Sequence, residues 1–124
     1  MQSLIFSCIA LFSFTILQPL GKEARSTDPP SHAMWDALLQ KHVDTRGLVD
    51  YQGLLRDQER LREYLSVLKN HPPQDAWSEA EQMAYWINAY NAFTIQLILD
   101  HWPVSSIRDI DEGNPWDTKW IELG

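Results

Sequence analysis

Asn88 and Asn91 are the two residues of this chain whose type and spacing best fit chemistry, because both are carboxamides standing three positions apart in an otherwise apolar stretch. Residues three apart share one face of a helix, so the two amides project together. A carboxamide carries a donor and an acceptor at fixed geometry, and such a pair can orient a substrate or a catalytic group supplied from elsewhere. Alternatively, they satisfy the backbone of an adjoining loop, with residues 49–51 and 105–109 as the nearest candidates. Either role places them in the core and paired, since a buried amide without a partner costs about 1–3 kcal/mol. Trp86 and Tyr90 flank them and complete the candidate binding set.

The other reactive side chains fall short of a site. His32, His42, His71 and His101 lack the three- or four-residue spacing of a zinc-binding helix. They are expected at the surface or at helix ends, and His101 gains from a helix C-terminus when protonated. Asp109, Asp111, Glu112 and Asp117 surround Gly113 and Asn114, but counting Asp109 as position one of a calcium loop puts Gly113 at five and Trp120 at twelve. That register fails, and a solvated acidic loop is expected. The sequence has no nucleophile elbow, no phosphate-cradling glycine loop and no H-E-x-x-H, so no catalytic residue, metal or cofactor is assigned. Trp77, Trp86, Trp102, Trp116 and Trp120 with Tyr85 and Tyr90 could line a sugar groove, and core filling is the competing role.

The elements that must position these groups can be read from pattern. Ser78 and Glu81 form an S-x-x-E capping box that starts a helix near Glu79. The helix runs to about His101, where Pro103 stops it, and it is apolar on nearly all sides, which predicts a central place in a domain. Upstream, Met34, Trp35, Leu38, Leu39 and His42 predict a helix capped by Ser31, and Leu61, Tyr64, Leu65 and Leu68 predict another ending at Lys69 before Pro72 and Pro73. Residues 48–51 are expected to be extended, with bends permitted at Gly47 and Gly53. Ser105 or Ser106 can cap one turn near Ile107, and residues 116–123 read as extended, packing through Trp116, Trp120 and Leu123.

The run 84–95, reading Ala-Tyr-Trp-Ile-Asn-Ala-Tyr-Asn-Ala-Phe-Thr-Ile, resembles the signature of the DUF547 family of uncharacterised domains. Val49-Asp50-Tyr51, the turn Trp102-Pro103-Val104-Ser105-Ser106-Ile107 and Pro115-Trp116-Asp117 are similar to further motifs of that family, in the same order. The resemblance implies a domain identity and no established activity. It also implies a continuation into strands carrying a histidine, an Ala-Leu-x-Cys motif and a Ser-Cys-Pro, so residues 33–124 are expected to be the N-terminal part of a larger α+β domain, truncated at its C-terminus. Within this segment the fold is expected to be mainly α, three helices plus short extended pieces.

Residues 4–17 form a nearly unbroken apolar run, shorter than the roughly 20 residues that span a bilayer, and read as a signal peptide over residues 1–26. Residues 27–32, with Asp28-Pro29-Pro30, are then a polar linker, and an exported, periplasmic or secreted protein is expected, off the membrane once the signal is removed. The single cysteine, Cys8, lies inside the apolar run, so the mature part offers no thiolate. The net charge is −7 with no basic cluster, which excludes nucleic acid as an expected partner. All six tryptophans follow the leader, more aromatic bulk than about 98 residues readily bury, and self-association through uncovered apolar surface is expected. Two functional readings remain: an inactive half of a papain-like or transglutaminase-like hydrolase, and a binding or scaffold module without catalysis.

Overall fold

The computed structural model describes residues 27–115 and 123. Four α-helices stand among them: α1 (Ala33–His42), α2 (Tyr51–Arg56), α3 (Gln58–Asn70) and α4 (Glu79–Asp100). Two single 3-10 turns follow at Ile107–Asp109 and Asp111–Gly113. No strand occurs among the described residues, and the only extended pairing there is an antiparallel bridge between Val43 and Val49. The segment is thus mainly helical, as its periodicity predicts. No helix among the described residues is long and apolar enough to cross a membrane.

Local chemistry explains where each helix begins. The Ser78 hydroxyl accepts from the Glu81 amide while the Glu81 carboxylate accepts from the Ser78 amide at 2.8 Å, the reciprocal box expected at the start of α4. Ser31 lies one residue outside the N-cap of α1, which is His32. The fourth helix corrects the sequence expectation, because residues 49–51 do not simply run extended and Gly53 is no bend. Asp50 caps α2 by accepting from the Gly53 amide at 2.9 Å, and Tyr51 is already helical.

α3 and α4 pack along each other, and α1 lies across α3. The main core takes Leu61, Tyr64, Leu65 and Leu68 from α3, Trp35 and Leu38 from α1, and Tyr85, Ala89, Ala92 and Phe93 from α4. The Trp35 and Tyr64 rings stack nearly parallel with centroids 5.8 Å apart. A second cluster, Leu97, Ile98 and Ile110, closes the far end of α4. The expected linker also departs from its reading: the Trp77 indole nitrogen donates to the Thr27 carbonyl at 2.6 Å, and Pro30 is buried. An indole wedged at the entrance of α4 finds its acceptor in that strand of backbone, so residues 27–32 are docked on the helices. The expected packing of Trp116 and Trp120 lies outside the described residues, while Leu123 packs against the main core.

Candidate functional site

α4 buries one side and leaves the other half-exposed. Tyr85, Ala89 and Ala92 face α3 and are almost wholly inaccessible, whereas Met83, Trp86, Ile87 and Tyr90 keep 62%, 50%, 53% and 50% of their surface exposed. The four recur at three- and four-residue intervals and make one stripe, about 10 Å long at 1.5 Å rise per residue. This corrects the expectation that Trp86 and Tyr90 fill the core. An all-round apolar helix needs partners all round, and at Met83, Trp86 and Ile87 the described residues cover it only in part.

The asparagines sit at the edge of that stripe. Asn88 is half-buried and Asn91 exposed, and neither side chain makes a hydrogen bond to a described residue. The expected burial and pairing is therefore not met among the described residues. Asn91 does approach one of its two expected neighbours, since it lines a cleft of 290 Å³ together with Val49 and Tyr51. Because neither amide holds a backbone group in place, Asn88→Leu and Asn91→Leu should each change stability by less than about 0.5 kcal/mol, the usual range for surface positions. Urea denaturation of the two variants checks this, and a loss above about 1 kcal/mol would mean a hidden partner.

The four histidines are all accounted for by helix ends and neighbours. His71 and His101 donate from Nδ1 to the carbonyls of Val67 and Leu97, 2.8 and 2.9 Å away, closing the last turns of α3 and α4. His32 Nδ1 lies 2.7 Å from the Tyr64 hydroxyl, and burial lowers the pKa of the imidazole. His42 at the end of α1 is buried, with Nε2 2.7 Å from Asp57 Oδ2. Lys41 reaches the same oxygen at 2.6 Å, and the hydrogen bonds from Lys41 and His42 pull the Asp57 carboxyl down to about 2. This cation-carboxylate knot was not legible in the sequence, because Asp57 lies in the junction between α2 and α3, where no periodicity marks it. It clamps the end of α1 to that junction.

Tyr51 and Thr94 are the other polar groups that sequence reasoning missed. The Tyr51 ring packs on Trp102 with centroids 5.3 Å apart, and Tyr51 lines the same cleft as Asn91 and Thr94. The acidic loop carries left-handed backbone at Asp111 and Glu112, with φ of 49° and 57°, and both side chains are exposed. Both residues lie within the Asp111–Gly113 turn, and aspartate is among the residues enriched in that region of backbone conformation.

Residues 74–122, which include the capping box and all of α4, match the model of a family described as a protein of unknown function, DUF547. No curated protein matches the chain, and no solved structure does.

Proposed function

We propose that this chain, whose residues 74–122 match the DUF547 family model, works as a binding or scaffold module whose contact face is the exposed stripe of α4. One observation carries this reading: four large apolar side chains on one helix face, each at least half exposed. Apolar surface in water favours removal at roughly 25 cal/mol per Å², and contiguous patches of this kind mark contact sites. The occupant we assign is a second copy of the same chain.

Charge and shape support self-pairing. α4 holds Glu79, Glu81 and Asp100 and no Lys or Arg, but none of these carboxylates interrupts the stripe from Met83 to Tyr90. An antiparallel two-fold contact centred between Trp86 and Ile87 sets Met83 of one protomer against Tyr90 of its partner and leaves Glu79 opposite Thr94. Like charges are never juxtaposed, and the same patch serves both protomers. The stripe supplies on the order of 400 Å² per protomer, about half of what a standard interface uses, so the pair is weak and concentration-dependent.

Analytical ultracentrifugation of the full chain over a concentration series tests the proposal. The unaltered chain should shift from monomer towards dimer as concentration rises, and Trp86→Glu should stay monomeric throughout. Identical sedimentation of the two chains would remove the α4 face from consideration.

A further inference from the structure

Beyond the stripe, α4 forms one wall of the 290 Å³ cleft, whose other walls are Trp35 and Leu39 of α1, the residues of the Val43 to Val49 bridge, and Tyr51. Ile95 and Ile98 are part of its apolar lining, and no charged side chain lines it among the described residues. Three of its lining residues carry polar groups: Asn91 a carboxamide, Thr94 a hydroxyl and Tyr51 a phenol. Thr94 already donates to the Tyr90 carbonyl at 2.7 Å, so its oxygen is left as an acceptor. The Asn91 and Tyr51 side chains make no hydrogen bond to a described residue. Burial raises the pKa of the Tyr51 hydroxyl, which keeps it a neutral donor.

Apolar walls with a few converging polar groups are the usual make-up of a small-molecule site, and 290 Å³ lies at the lower end of the usual size range. The volume is close to twice the roughly 150 Å³ of a cavity that takes benzene, so two fused rings fill it. With no counter-charge in the walls, an ionised ligand would lose its hydration without compensation, and only a neutral one is suited. The Asn91 carboxamide presents a donor and an acceptor side by side, and an amide or lactam edge offers the same two in reverse.

We infer that this cleft is a binding site for a small neutral bicyclic molecule with an amide-like edge, held by Asn91 and Tyr51 and by the Trp35, Ile95 and Ile98 walls. The cleft borders the α4 contact face through Asn91 and Thr94, and its occupancy does not require a second copy.

The experiment uses the full chain carrying Trp86→Glu, so that association plays no part. Three probes are titrated and followed by the side-chain amide resonances of Asn91 and by thermal unfolding: 2-quinolinone, its apolar counterpart naphthalene, and the charged 2-naphthoate. 2-Quinolinone should saturate, shift the Asn91 resonances and raise the unfolding temperature. Naphthalene should bind about tenfold more weakly, as should 2-quinolinone to Asn91→Ala, because two hydrogen bonds of modest net strength are lost in each case. Tyr51→Phe should weaken binding about threefold, and 2-naphthoate should not saturate. Thr94→Phe, which fills the cleft from its lining without touching the core helices' contact, should abolish binding while the chain stays folded. Failure of all three probes to bind, equal binding of the three, or full retention of binding in Thr94→Phe would each overturn the inference.

Discussion

Replacing Tyr85 with alanine should cost about 3–5 kcal/mol, the range for truncating a buried aromatic. A domain of this size has only about 5–15 kcal/mol in total, so the variant stands at the edge of unfolding. Tyr85 is completely buried between α3 and α4, with the Trp77 and Trp86 rings edge-on to it at 5.8 and 5.3 Å. Its hydroxyl donates to the Leu68 carbonyl at 2.8 Å, a last-turn acceptor of α3 that also receives the His71 amide. Removing the ring opens a cavity at the one long helix-to-helix contact of the fold and takes a donor from the α3 terminus. Tyr85→Phe separates the two contributions and should cost about 1 kcal/mol, since it deletes the hydrogen bond alone. Urea titrations of both variants give the comparison. An alanine variant within about 1 kcal/mol of the parent would mean that the α3 and α4 faces do not form the core.

The second large effect is expected at Gly53, where alanine should destabilise by about 2–4 kcal/mol. Inside an ordinary helix the same change is favourable by up to about 1 kcal/mol, so the sign itself is diagnostic. Gly53 lies within α2, and a methyl group there would collide with the Asp50 carboxylate and stand 2.6 Å from His42 Nδ1. Neither neighbour can retreat freely. Asp50 is fixed by accepting from the Gly53 amide, and His42 is held from its other ring nitrogen by Asp57. Overpacking of this kind costs about 1–3 kcal/mol, and displacing Asp50 forfeits a helix cap of about 1 kcal/mol. A variant as stable as the parent in urea would show that α2 and the end of α1 are less closely joined than the glycine implies.

These two positions also show what the sequence could and could not tell. Tyr85 sits in a strongly periodic helix that begins at a capping box, and both the helix and its start are legible because local chemistry specifies them. Gly53 reads as a bend, since glycine weakens a helix in isolation. α2 forms because Asp50 caps it and His42 occupies the space a side chain would need, and both facts depend on a neighbouring element. Asn91 failed for a different reason. Apolar residues on every side of α4 predict burial on every side, but residue type does not reveal which face has found a partner. The amides were rightly singled out and wrongly placed: Asn91 meets Val49 and Tyr51 in the lining of a cleft instead of as their hydrogen-bonded anchor.

The bond from the Trp77 indole to the Thr27 carbonyl joins residues 50 positions apart. It closes α1, α2 and α3 into a loop whose two ends meet, because Thr27 precedes α1 and Trp77 stands just before α4. Most domains fray first at their termini, where backbone amides exchange with solvent at little cost in free energy. Here the backbone at Thr27 cannot lift away without withdrawing the acceptor that it gives a nearly buried indole, and that indole packs on Tyr85 in the core. Opening of the backbone around Thr27 and loosening at the entrance of α4 therefore belong to one cooperative unit.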